Sequence, residues 1–276
     1  MQKRSVEELK EIAKDLRKKV VTMIYEAQSG HPGGSLSAAE FVTACYFYEM
    51  NVDPKNPKWE DRDRFVLSKG HVCPIQYAAL GTLRFFPETT LYTLRKEGSP
   101  LQGHPNHHCP GIDIPTGSLG QGFACAVGMA IGMKLDKKPC RVFSVLGDGE
   151  CQEGEIWEAA QTANKYRLDN LTIFVDVNNL QIDGTTDEVM PNRSLAEKFK
   201  SFGFEIYEID GNDMAQMVRT FDEIRMHLHS GSPKCIIGHT TKGKGVSYME
   251  NQAAWHGIAP NKEQWEQAVK EIEAGF

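Results

Sequence analysis

Residues 141–179 read RVFSVLGDGECQEGEIWEAAQTANKYRLDNLTIFVDVNN. Arg141–Leu146 and Leu171–Val177 are short runs rich in β-branched and aromatic residues, the length of buried strands. Cys151–Tyr166 between them reads as a helix. Strand, helix, strand in that order predicts two parallel strands joined by a crossover. The first run stops at Gly147-Asp148-Gly149 and the second at Asn178-Asn179. Both motifs therefore lie at the carboxyl ends of strands, where open α/β sheets bind their ligands.

Outward from this unit the alternation continues. Leu9, Ile12, Leu16, Val20 and Ile24 recur at helical spacing after Ser5, a good N-cap, and predict a first helix to about Gln28. Ser29–Ser35 (SGHPGGS) breaks it, and a second helix is expected over Ser37–Tyr48. Phe65–Leu67 is a short buried strand, followed by a helix over Pro74–Phe85. Gly98–Gly117 is loop, dense in Pro, Gly and His. Gly120–Leu135 is a helix with small residues at Ala124, Gly128, Ala130 and Gly132, which places it deep in the protein or at a subunit contact. Strand Phe204–Ile209, helix Met214–His229, strand Lys234–His239 and helix Lys262–Ala274 complete the pattern. The expected fold class is α/β: a parallel sheet with helices on both faces, as one domain over residues 1–276. Thr241-Lys242-Gly243-Lys244-Gly245 falls at the end of the last strand, a third motif on the ligand-binding edge.

Composition narrows the function. Hydrophobic residues make up 40% and charged residues 25% of the 276, as in ordinary globular proteins, which excludes disordered and collagen-like chains. With 31 basic and 37 acidic residues the formal charge is −6, which gives no reason to coat nucleic acid or an anionic membrane. Seven cysteines form no CxxC pair, and the charged N-terminus lacks the apolar core of a signal peptide, so free thiols in a reducing cytoplasm are expected. Ile114–Met133 is uncharged and long enough to span a bilayer. It holds five glycines and a proline, and reads instead as a loop followed by a buried helix.

Asp148 and Asn178 offer one carboxylate and one amide oxygen at neighbouring strand ends. Mg²⁺ or Ca²⁺ takes about six oxygens, so such a pair makes a site only when a bound diphosphate and water supply the rest. The plainer reading is an Asp in a tight turn capping the next helix. Gly117-Ser118-Leu119-Gly120-Gln121-Gly122 opens a helix and presents free N–H groups to an anion, or serves close packing alone. It is neither a Walker loop nor GxGxxG. His104-Pro-Asn-His107-His108-Cys109 supplies zinc-type ligands, but no second cluster stands at zinc spacing. For His107, His108, His227 and His229 a solvated role is preferred.

Taken together, Ser29–Gly34 (SGHPGG), Phe65–His71 (FVLSKGH), Gly103-His104-Pro105, Thr116–Gly122, Gly147–Gly154 (GDGECQEG), the Asn178-Asn179 pair and Trp255-His256-Gly257 resemble the N-terminal half of transketolase, in order and spacing, from about residue 5 to 260. The resemblance implies thiamine diphosphate as cofactor with Mg²⁺ or Ca²⁺ held by Asp148, the Asn178 side chain and the Leu180 carbonyl. It implies that Gly117, Ser118, Leu119, Gly149 and Glu150 line the cofactor and that Ile182 touches the thiazolium ring. His71, and Lys242 as in some relatives, would meet the diphosphate. His31 and His256 would help remove the proton from the donor hydroxyl, and His104 would contact the terminal hydroxyl of the donor. Glu153, more than Glu158, would join two active sites through a dimer interface, although helix glutamates are ordinarily just solvent-facing.

Ordinary transketolases are more than twice this length, and the glutamate that activates the aminopyrimidine comes from a pyrimidine-binding domain not found in this sequence. The resemblance thus implies the N-terminal subunit of a split transketolase. Its partner would be a C-terminal subunit carrying the pyrimidine-binding and C-terminal domains, in an α2β2 assembly. The activity implied is transfer of a two-carbon ketol unit from a ketose or ketose phosphate to an aldose. Two alternatives stand beside it: another thiamine diphosphate enzyme, such as a 2-oxo acid decarboxylating component, and a non-catalytic transketolase-like module. The row of histidines favours sugar chemistry, because 2-oxo acids bring no row of hydroxyls.

Overall fold

A computed structural model describes residues 3–275. Ser5 caps α1 (Val6–Ala27) through a capping box with Glu8, and its apolar stripe of Leu9, Leu16, Val20 and Ile24 is fully buried. Next come α2 (Pro32–Ser37) and α3 (Ala39–Ala44), the latter running into a π-turn, Cys45–Glu49. Strand β1 (Arg64–Leu67) and α4 (Cys73–Thr82) follow, then a long irregular segment, α5 (Gln121–Leu135), β2 (Val142–Gly147), α6 (Gly154–Lys165) and β3 (Leu171–Val177). A small hairpin, β4 (Leu180–Gln181) and β5 (Gly184–Thr185), leads to α7 (Thr186–Val189) and α8 (Leu195–Ser201). The chain ends with β6 (Glu205–Asp210), α9 (Met214–Met226), β7 (Lys234–His239) and α10 (Lys262–Ala274).

Five strands form one parallel sheet in the order β1-β2-β3-β7-β6. Its central strands are apolar on both sides because both sides are covered. Phe65, Phe143, Phe174 and Ile236 pack into one core with α1, α3, α4, α9 and α10. Val66, Leu146, Ile173, Val175 and Ile237 pack into the other with α5, α6 and α8. This is the expected α/β architecture. In register, Gly147 lies beside Asp176, and Asp176 beside Gly238. The segments leaving β2, β3 and β7 therefore emerge next to one another.

Several boundaries differ from expectation. Helical structure starts at Pro32, not Ser37: proline fits the first turn with its fixed φ, and the glycines behind it are buried rather than turn-forming. Helix α4 stops at Thr82 because Arg84 adopts a left-handed φ of 66°. A 3₁₀ turn, Glu150–Gln152, delays α6 to Gly154, and α9 ends at Met226 before His229. Helix α5, expected deep in the protein or at a subunit contact, buries Phe123, Ala126, Val127 and Ala130, while among the described residues nothing stands within 4 Å of a Cβ at Gly128 or Gly132, so it is not enclosed on that side. Among the described residues no helix is long and apolar enough to cross a membrane, and the uncharged stretch 114–133 is indeed loop and helix.

Candidate active site

At the carboxyl ends of β2, β3 and β7 lies a cavity of about 410 Å³. One wall is built from strand ends. Asp148, 3% exposed, accepts backbone N–H groups at both oxygens: Gly149 to Oδ1 at 2.8 Å and Asn179 to Oδ2 at 2.6 Å. Burial and the neighbouring Asp176 push its carboxyl up to about 6, against the opposing pull of those N–H groups and of Lys69. Asn178 donates from Nδ2 to Asp176 at 3.3 Å, which turns Oδ1 to the other side, where Leu180 N–H reaches it at 3.2 Å. The Leu180 carbonyl accepts from Lys242 Nζ at 3.3 Å.

A carboxylate, an amide oxygen and a carbonyl are hard ligands suited to Mg²⁺ or Ca²⁺ rather than to zinc. A nearby divalent cation would also favour the charged form of a carboxyl that burial holds above its usual range. These residues fit a divalent ion completed by oxygens from a diphosphate and water.

A second part of the wall is imidazole. The rings of His31, His71 and His256 form a triangle with centroid separations of 5.1, 5.0 and 5.4 Å. Burial, then Arg95, lowers His31 to about 4; burial, then Lys242, does the same for His256. Burial and Lys69 hold His71 well below the ordinary value. All three are neutral near pH 7 and can donate and accept hydrogen bonds. Lys242, 2% exposed, stands between the two parts, with Nζ 3.1 Å from His256 Nδ1. Burial and Lys69 bring its ammonium down to about 8, less the opposing effect of Asp148 and Asp176. Its stem runs against α2: a Cβ on Gly33 would come within 3.0 Å of Lys242 Cγ and 2.9 Å of the Trp255 carbonyl oxygen. Glycine at 33 allows that approach.

The remaining expected residues are distributed unevenly. Gly117, Leu119, Gly149, Glu150, Glu153 and Ile182 line the cavity. Glu150 has both carboxylate oxygens engaged from within, accepting from Ser68 Oγ and Gly120 N–H and from Gly147 N–H. Its side chain thereby braces the two glycine turns. Ser118 is exposed on the same turn and is not on the wall. His104 is also exposed, at the mouth beside Gly117. Ile182 is 68% exposed on the rim. Glu153 and Glu158 are exposed. Among the described residues no group of three His, Cys, Asp or Glu side chains is placed to hold a metal, so the zinc alternative at His104–Cys109 finds no support.

Three participants were not assigned from the sequence. Asp176, fully buried, accepts from Ser37, Lys69, Thr240 and Asn178. A lone acid in the apolar run LTIFVDV, two residues before Asn178, is its signal. Lys69, inside the SKGH motif, is its ion-pair partner. Arg95 reaches His31 from behind. A larger cavity of about 510 Å³ lies elsewhere, between α1 and α9, where Arg17 pairs with Glu40.

Oxygen donors, buried lysines and three neutral imidazoles gathered at one edge of a parallel sheet can hold an anionic ligand and exchange hydrogen bonds with polar groups. The family model described as "Transketolase, thiamine diphosphate binding domain" matches residues 8–275, and the chain belongs to that family. It is 45% identical over 256 residues to one of the subunits of the apulose-4-phosphate transketolase of Phocaeicola vulgatus, covering 93% of this chain and 90% of that one. It is 43% identical over 267 residues to the 6-deoxy-6-sulfo-D-fructose transketolase subunit SqwG of Clostridium sp. MSTE9, covering 96% of each. The solved transketolase of Campylobacter jejuni superposes with a TM-score of 0.92 at 31% identity, over 98% of this chain but 43% of its own length. This chain thus spans about two fifths of that solved transketolase.

Proposed function

We propose that this chain is the diphosphate-binding subunit of a two-chain transketolase, forming one thiamine diphosphate-binding domain over residues 1–276. The observation that carries the reading is that Asp148, Asn178 and Leu180 line one cavity together with His31, His71 and His256. When bound, thiamine diphosphate supplies a nucleophilic carbon and an electron sink for cleaving a carbon–carbon bond. Everything else is the work of this chain. Asp148, Asn178 and Leu180 hold Mg²⁺ or Ca²⁺. Gly117, Ser118, Leu119, Gly149, Glu150, His71 and Lys242 surround the diphosphate, and Ile182 supports the ring. His31 and His256 serve the donor's reacting oxygens by hydrogen bonding and proton transfer. His104, at the mouth, contacts the far end of the donor, and Glu153 faces a subunit contact.

The reaction is transfer of a two-carbon ketol unit from a ketose to an aldose. Relatives named for apulose-4-phosphate and 6-deoxy-6-sulfo-D-fructose support a ketose bearing an anionic group. Relatives of matching length named as subunits support a second polypeptide carrying the pyrimidine-binding and C-terminal domains, in an α2β2 assembly. Seven free cysteines suit a reducing cytoplasm.

Co-purification with the partner polypeptide tests this. Ketol transfer is expected from the pair, with Mg²⁺ and thiamine diphosphate, and from neither chain alone. Asp148→Asn in the assembled pair is expected to weaken Mg²⁺-dependent cofactor binding by about 10²-fold in titration calorimetry. Turnover by this chain alone, or cofactor binding indifferent to Asp148 and to chelation, would overturn the reading.

A further inference from the structure

Arg95 lies just beyond the 3₁₀ segment Glu88–Thr93, with φ of 61°, a left-handed conformation uncommon for a long side chain. Its N–H donates to the Leu101 carbonyl at 2.8 Å, which closes the turn. From there the side chain reaches toward the imidazole wall. Nη1 donates to Ser29 Oγ at 2.8 Å; Nη2 lies 3.4 Å from His31 Nδ1 and 3.5 Å from the Gly103 carbonyl. Ser29 and Gly103 sit on the loops that carry His31 and His104. A Cβ on Gly103 would come within 2.9 Å of the guanidinium carbon, so glycine there keeps the place open. One planar cation thus ties two histidine-bearing loops together, and Arg95 itself is not on the cavity wall.

A guanidinium offers five N–H donors, no acceptor, and keeps its charge at every working pH. A ring nitrogen facing it must present a lone pair. We infer that Arg95 is a positioning residue that fixes the tautomer of His31, with Nδ1 unprotonated against the guanidinium and the single ring proton on Nε2, the side nearer Gly257. In that tautomer His31 donates a hydrogen bond to an oxygen of the substrate and does not accept a proton at Nε2. The other charged or titratable groups facing His31 are His71, His104, Lys242 and His256. His256 Nδ1 likewise faces a cation, Lys242. Lys242 is within the cavity and is proposed above to serve the diphosphate, so its hold on His256 is conditional. The hold of Arg95 on His31 is not. The two histidines, expected from resemblance to share one task, thus differ: Arg95 fixes His31 as a donor, whereas the tautomer of His256 follows Lys242.

The inference rests on the reading of His31 as substrate-facing, and its test separates the two. The full chain labelled with ¹⁵N-histidine is examined at pH 7 by two-bond ¹H–¹⁵N correlation, with His31 assigned by its loss in His31→Gln. The expected spectrum has the Nε2–H pattern for His31, giving way in Arg95→Met to mixed tautomers. In the assembled pair, Arg95→Met is expected to lower kcat by roughly 10²-fold, the scale of a misplaced catalytic group. Thiamine diphosphate affinity should change less than about twofold, since Arg95 does not touch the cavity. Arg95→Lys, which keeps a cation, is expected to retain the tautomer and part of kcat, and it serves as the readout if Arg95→Met does not fold. An Nδ1–H pattern in the wild type, or an unchanged Nε2–H pattern in a folded Arg95→Met, would overturn the inference. An Nε2–H pattern with no ketol transfer would sustain it and remove the functional reading instead.

Discussion

Three imidazoles held neutral against one another make the folded chain sensitive to acid. An unfolded histidine takes up a proton near pH 6.5, whereas burial and neighbouring cations bring His31 and His256 to about 4 and put His71 well below its ordinary value. Between about pH 6.5 and 4 the unfolded chain therefore binds protons that the folded chain refuses. Stability rises with pH where the unfolded state binds more protons, so the contribution is whole above pH 6.5 and is lost as pH falls toward 4. Urea denaturation at pH 7 and pH 5 should show the midpoint falling on acidification. In His256→Gln the drop should be smaller, because one of the reluctant groups is gone and Lys242 loses a neighbour. Equal drops in the two proteins would mean that carboxylates elsewhere govern the acid response.

Elements differ in whether they only hold the fold or also shape the cavity. Ser5 caps α1 far from the site, so Ser5→Ala should cost about 1 kcal/mol in denaturant titration and leave cofactor affinity unchanged. Gly33 sits in α2 against Lys242 and a backbone carbonyl, and neither can withdraw easily. Gly33→Ala should cost about 1–3 kcal/mol and also weaken cofactor binding by displacing Lys242. The same contrast explains what could be read beforehand. Helices α1 and α10 and strands β3 and β7 were legible because a cap or a run of apolar residues fixes them locally. The start of α2 was not, because Gly33 and Gly34 read as turn signals and only the packing of Val72, Trp255 and Lys242 explains glycine inside a helix. Nor were β4, β5, α7 and α8, which are too short for any periodicity to develop. Of the site, the oxygen donors and histidines stood out as residue types at strand ends and in glycine-flanked loops. Asp176, Lys69 and Arg95 each have side-chain partners 64 to 139 residues away, a relation that local pattern cannot express.

At the scale of the molecule, the cavity is finished on the sheet side and bare on the other. Gly147, Gly149 and Asn178 are backed by buried strands, whereas Ile182 is 68%, Met190 57% and Val189 43% exposed along one rim. Scattered surface apolar residues need no explanation, but Ile182 and Val189 both line the cavity. Helix α5 gives a similar picture on another face: among the described residues nothing stands within 4 Å of a Cβ at Gly128 or Gly132, and Leu135 is exposed. In the two-chain assembly proposed above, the cofactor and the second polypeptide would cover such faces. Ile182→Ser separates that role from a structural one. Changing an exposed residue should leave the stability of the chain within about 0.5 kcal/mol. If the side chain becomes buried on assembly, the loss is about 1.5–3 kcal/mol, or roughly 10- to 10²-fold in the affinity of the assembled enzyme for cofactor or partner. The two measurements, denaturation of this chain and titration of the pair, should therefore diverge. A variant that binds cofactor and partner as the wild type does would leave the Ile182 rim an ordinary solvent-facing turn.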